Sequence, residues 1–183
     1  MGRIETTLFK GSTDSANKKL SVSYIYDFNQ DGNFPSIKQN DKRIVVHHSF
    51  ALCISEGYEK PRIFIPGVKY FHFISLLDKI VTLVSDKLYE IFPNMNGTDV
   101  EPDSRVLERY QTEKALAVAG MTAMPSVWVD EFNSSYPAIR ITSKNGYVAI
   151  PLEDAIPIAE LLKRFDPITY GIETLKFFGK WEE

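Results

Sequence analysis

The sequence predicts an α+β protein in which a β4α unit, four antiparallel strands followed by a helix, occurs twice within one domain spanning 1–183. Three observations lead there. Stretches rich in β-branched and aromatic residues precede an amphipathic helical stretch in each half. Both helical stretches begin just after an Ile-Pro step, Ile65-Pro66 and Ile150-Pro151. Short segments of the first half also recur, in order, in the second.

Taken in order, Lys19–Phe28 (KLSVSYIYDF) reads as a strand closed by the turn residues Asn29-Gln-Asp-Gly32. Arg43–Ser55 reads as one long strand, and Arg62–Ile65 as a short one stopped by Pro66-Gly67. Phe73, Leu77, Ile80, Val84, Leu88 and Ile91 then recur every three or four residues, which predicts a helix over Val68–Phe92 ended by Pro93. Asn94–Ser104 is polar, acidic and turn-rich, a linker between repeats spanning 18–93 and 105–166. Lys114–Met121, Ser126–Phe132, Ala138–Ser143 and Gly146–Ile150 read as strands, the last two joined where Asn145-Gly146 supplies positive φ. Leu152–Phe165 reads as a second helix, with Glu153 and Asp154 in the first turn, where carboxylates suit the dipole. Its expected core face is Leu152, Ala155, Ile156, Ala159 and Leu162. The tail, 167–183, holds one short helix with Ile168, Ile172, Leu175 and Phe178 on one side.

Composition excludes several classes. At 44% hydrophobic and 25% charged residues the chain is neither disordered nor fibrous. Its longest apolar-rich stretch, Val68–Phe92, is interrupted by Lys69, His72, Asp78, Lys79, Asp86 and Lys87, so no membrane span is expected. Met-Gly-Arg-Ile-Glu lacks the apolar core of a secretory signal, and a lone Cys53 suits a reducing, intracellular compartment. A net charge of −3 argues against a polycation that coats nucleic acid, but leaves room for a local basic face.

Four recurrences carry the duplication. Lys18-Lys-Leu-Ser-Val22 matches Lys114-Ala-Leu-Ala-Val118, and Phe34-Pro-Ser-Ile37 matches Met124-Pro-Ser-Val127. Ala51-Leu-Cys-Ile54 matches Ala138-Ile-Arg-Ile141, and Ile65-Pro66 matches Ile150-Pro151. From the prolines onward the helices align without a gap, Leu76-Leu77 falling on Leu161-Leu162.

This organisation resembles the Whirly family, and the transcriptional coactivators whose single β4α unit matches one Whirly half. The Lys-x-Leu-(Ser/Ala)-Val segments from Lys18 and Lys114 look like a degenerate form of the Lys-Gly-Lys-Ala-Ala-Leu-Ser stretch of plant Whirly proteins, although neither copy keeps the Gly-Lys pair. The resemblance implies two helices packed about a pseudo-twofold axis, single-stranded nucleic acid bound on the sheets, and a homo-oligomer. Phages also encode single-strand binders of this fold, which would place the chain in the host cytoplasm.

Side-chain parity tests the binding face, because alternate residues of a strand point to opposite sides. Apolar parity puts Ile44, Val46, Phe50, Leu52, Ile54, Ile63, Ile65, Val127, Val129, Ile139, Ile141, Val148 and Ile150 inside. The opposite parity carries Lys19, Lys38, Arg43, Arg62, Phe64, Trp128, Arg140 and Tyr147, with Asp130 the one clear acid. Cations there would track phosphates while Trp128, Tyr147 and Phe64 stack bases, each stack worth about 1–3 kcal/mol. Lys114, heading the second Lys-x-Leu segment, joins the phosphate contacts.

Catalytic patterns are missing. His47 and His48 point to opposite faces of a strand, and His72 has Leu76 four residues on, so no metal set forms. Asp27–Gly32 lacks the distal Glu of a calcium loop, no Gly-rich phosphate loop occurs, and Cys53 reads as a packed residue. The expectation is a non-enzymatic, cofactor-free binder of single-stranded DNA, with RNA as the alternative strand, acting in replication or recombination. The rival is a protein-interaction or scaffold module. The aromatic, acidic tail from Tyr170 through Phe177, Phe178 and Trp181 to Glu183 could dock a replication or recombination partner.

Overall fold

Alternation builds the sheets and 3.6-residue periodicity the helices that cover them. The computed structural model describes residues 2–11, 20–28, 36–39, 42–45, 50–56, 62–96, 99–130 and 132–177. The first part runs β1 (Gly2–Lys10), β2 (Ser21–Phe28), β3 (Ser36–Gln39), β4 (Lys42–Val45), β5 (Phe50–Ser55), β6 (Arg62–Pro66), α1 (Tyr70–Asp86) and α2 (Leu88–Ile91). It continues through β7 (Asn94–Asn96), β8 (Asp99–Glu101) and α3 (Ser104–Thr112). The second part is β9 (Leu116–Val118), β10 (Met121–Val129), β11 (Ser135–Ser143), β12 (Gly146–Pro151), α4 (Leu152–Arg164) and α5 (Pro167–Phe177).

The protein is α+β with antiparallel sheets. One sheet has the order β1-β2-β5-β6, the other β12-β11-β10-β9, and a helix follows the fourth strand of each. Strands β3 and β4 form a separate two-stranded ladder, as do β7 and β8.

Packing crosses between the halves. Helix α1 lies against β9, β10 and β11 and against α4. Its buried face is Tyr70, Phe73, Leu76, Leu77, Ile80, Val81 and Val84. Opposite it, Ile139, Ile141, Val148 and Ile150 are fully buried. The core side of the first sheet carries Val22, Tyr24, Tyr26, Phe50, Leu52, Ile54, Ile63 and Ile65, all buried. The Tyr24 ring stacks on Phe50 at 5.3 Å and meets Phe165 and Tyr170 edge-on at 5.8 and 5.0 Å. Its hydroxyl donates to the Pro167 carbonyl at 3.1 Å, and that of Tyr70 donates to the Leu162 carbonyl at 2.8 Å. Burial pushes both phenols well above the usual tyrosine range, so they remain neutral donors.

Several expectations need correction. Arg43–Ser55 is not one strand: β4 and β5 belong to different sheets, and 46–49 fall outside the described residues. The first sheet takes its edge strand from Gly2–Lys10, ahead of the 18–93 segment. Consequently Leu20–Val22 leads into a second strand whereas Leu116–Val118 is a first one, and Phe34–Ile37 reaches the side hairpin whereas Met124–Val127 lies in β10. The Ala51/Ala138 and Ile65/Ile150 matches do occupy third and fourth strands of their sheets. Lys114–Met121 is split by positive φ at Ala119 and Gly120, which turns β9 into β10. The supposed linker contains a hairpin and leads into α3, whose N-cap Asp103 accepts from Arg105 and Val106 N–H at 3.0 and 3.1 Å. The long helix breaks at Lys87, and Ile156 is exposed rather than core-facing.

Pro125 sits in the middle of β10 without breaking the ladder. Strand β9 pairs only over Met121–Ala123, and the Pro125 carbonyl instead accepts from Gln111 Nε2 at 2.9 Å. The missing N–H therefore faces α3, where no ladder bond is needed.

Helix α5 starts on Asp166, whose carboxylate accepts from Ile168 N–H, Thr169 N–H and the Thr169 hydroxyl at 3.1, 3.1 and 2.7 Å. The Thr169 hydroxyl, then the backbone N–H groups, hold this carboxyl below the ordinary carboxylate range. Its stabilisation is thus complete above the unfolded Asp pKa of about 3.9 and is lost as pH falls through the lowered native value. Amide exchange in Pro167–Phe177 should accelerate in acid relative to α1, and Asp166→Ala should make exchange there fast at neutral pH and abolish that acid-dependent step.

Candidate nucleic-acid interface

On β6, Ile63 and Ile65 are buried while Arg62 is exposed and Phe64 half-buried, as alternation requires. The Arg62 guanidinium lies over the Phe64 ring, 5.3 Å from its centroid.

A second pair forms on the other sheet. Register places Thr122, Met124, Ser126 and Trp128 of β10 opposite Thr142, Arg140, Ala138 and Tyr136 of β11. Arg140 and Thr142 are in turn opposite Ala149 and Tyr147 of β12. Arg140 lies over the Tyr147 ring at 5.7 Å and points its Nη2 at Met124 Sδ, 3.0 Å away. Tyr147 is 52% exposed. Among the described residues neither Arg62 nor Arg140 has a carboxylate partner, and the buried Nε of Arg140 has no hydrogen-bond partner. An unmet buried donor costs about 1–3 kcal/mol.

Strand β6 packs against β11 and β12, so the two arginine–ring pairs stand on neighbouring strands where the sheets meet. The Glu56 carboxylate accepts from Ala149 N–H across this junction.

The other expected residues lie elsewhere. Trp128 is on the Arg140 side of its sheet but only 3% exposed, tilted against Tyr136 at 5.9 Å, and is no open platform. Parity fixes the side of a sheet, not whether that side is covered. The same holds for Ser23 and Cys53, both buried. Val127 and Val129, expected inside, are half-buried and 40% exposed. Lys114 sits beyond α3 next to the β9 edge, its Nζ 5.0 Å from the Tyr110 ring, at the far side of the sheet from β12. Lys38 and Arg43 are directly paired in the β3–β4 ladder, outside both large sheets. Lys19 lies outside the described residues, as do His47, His48, Phe178 and Trp181.

Met124 was missed as a neighbour of Arg140. The turn residues Asp130 and Ser134 could have revealed it: Asp130 Oδ1 accepts from Phe132 and Ser134 N–H at 2.9 and 2.8 Å, closing the hairpin in that register. Asp130, the one acid expected on the face, is occupied there and also accepts from the Tyr136 hydroxyl at 3.2 Å.

Among the described residues no cluster of His, Cys, Asp and Glu is arranged to hold a metal ion, and no helix is long and apolar enough to cross a membrane. Neither a protein-family model nor a curated protein matches the chain.

The burial contrast between the two rings has a direct consequence. Trp128→Ala should cost about 3–5 kcal/mol of stability in urea unfolding, as for a core aromatic. Tyr147→Ala should stay within roughly 0.5 kcal/mol, as for a surface site.

Proposed function

We propose that this chain binds single-stranded DNA without sequence preference, along the outer surface of β6, β11 and β12. The observation that carries the reading is the pair of carboxylate-free arginines, each laid over an accessible ring: Arg62 on Phe64 and Arg140 on Tyr147. A guanidinium grips phosphate oxygens through its planar fork, and a flat ring accepts any base by stacking. The combination is indifferent to sequence because it reads no base edge. Lys38 and Arg43, on the separate β3–β4 ladder, are proposed as further phosphate contacts; Trp128 and Lys114 are left out of the contact set.

In this reading the protein is Whirly-like, two β4α units related by a pseudo-twofold, assembling as a homo-oligomer that protects or presents strands in replication or recombination. The matching Ile-Pro steps between fourth strand and helix support the duplication.

Titration of fluorescent oligo-dT in rising salt, with duplex and oligo-U as controls, tests the proposal. Arg140→Ala should weaken binding equally across sequences and reduce the log–log salt slope by about 0.7, one phosphate contact on a single strand. Tyr147→Ala should lose about 1–3 kcal/mol, roughly 5- to 150-fold. Unchanged affinity and slope in both variants, or duplex bound as tightly as oligo-dT, would overturn it.

A further inference from the structure

A second surface lies where the start of β11 meets α2 and α4. Leu88 of α2, Tyr136 and Pro137 of β11, and Leu152, Glu153 and Ile156 of α4 line an open groove of about 270 Å³. Ile156 occupies a position whose helical spacing suits the core, yet it is 44% exposed. Tyr89, next to Leu88, is 76% exposed, and Phe132, in the turn that Asp130 closes beside Tyr136, is 79% exposed. Single exposed apolar residues are ordinary; several gathered about one groove mark an interaction surface.

The one charged side chain in the groove's lining is acidic. Glu153 lies in its wall, and Asp130 holds the Tyr136 hydroxyl; neither has a lysine or arginine partner among the described residues. Strand β8, with exposed Asp99 and Glu101, docks on the same β11 through Val100 N–H to Ser135 Oγ at 3.1 Å. Lys87, next to Leu88 in the chain, and Arg109 are both engaged by Glu90, at 3.3 and 2.9 Å.

We propose that this groove docks a segment of a partner protein that carries Lys or Arg on either side of an apolar anchor. The anchor fills the space between Leu88, Pro137 and Ile156, in the manner of an amphipathic helix laid in a groove. Its cations face Glu153 and Asp130, which sets orientation and excludes acidic competitors. Nucleic acid is repelled by this rim, and a lysine- or arginine-bearing segment is the occupant whose charge complements it. The proposal is independent of strand binding at β6, β11 and β12.

A fluorescein-labelled amphipathic helical peptide, with Leu every third or fourth residue and Lys between, is the probe; its Glu-for-Lys counterpart is the control. The Lys peptide should bind with micromolar affinity and the Glu peptide at least about tenfold more weakly. Ile156→Ser and Phe132→Ser, which leave net charge unchanged, should each weaken Lys-peptide binding about tenfold, and Glu153→Gln several-fold, with circular dichroism unchanged. Equal binding by all variants would mean bulk charge alone and overturn the proposal. Displacement of the peptide by oligo-dT, or loss of a dimer on Ile156→Ser in sedimentation, would assign the groove to another occupant and overturn it equally.

Discussion

The structure depends on an exchange of covers between its two halves. Helix α1 leaves the edge strand of the first sheet and packs on the second, while the α4–α5 turn closes over the first through Phe165, Pro167 and Tyr170. Tyr70 and Tyr24 lock this arrangement with buried hydroxyls given to carbonyls at the end of α4 and the start of α5. Each such bond contributes only about 1 kcal/mol, but leaving the carbonyl or the hydroxyl unpaired in the core would cost more. With one face of each sheet committed to this exchange, Arg62, Phe64, Arg140 and Tyr147 have only the other side to occupy.

Some of the helical acids are held by neighbouring cations, Asp78 and Glu160 by Lys163, and Glu90 by Lys87 and Arg109. These exposed pairs add little stability. Where the sheets meet, Arg62 and Arg140 have no carboxylate partner among the described residues, and the Glu56 carboxylate at that junction accepts from Ala149 N–H.

How far the sequence revealed this varied with the kind of information needed. Periodicity identified α1 and α4 because long amphipathic helices average over many residues, and alternation on β6 placed Arg62 and Phe64 outward correctly. Strand β1 was missed because Gly2–Lys10 alternates weakly and pairs only on one edge. Helix α3 was readable from Asp103 followed by Val106, Leu107 and Tyr110, but the acidic linker composition hid it. Trp128 shows the deeper limit: its side of the sheet followed from parity, whereas its burial depends on neighbours no local pattern encodes. The Arg140–Tyr147 contact likewise required the β11–β12 register, while Lys114 was assigned from a segment match that occupies a non-equivalent strand.

The central claim is that bases stack on the rings beside Arg62 and Arg140. Photocrosslinking an oligonucleotide containing 5-iodo-deoxyuridine to the intact protein, followed by peptide mapping, addresses it most directly. Adducts should fall on Phe64 and Tyr147. Adducts confined to Phe71, Tyr89, Phe132 or Phe177, or no adducts under conditions where the strand is bound, would contradict the account.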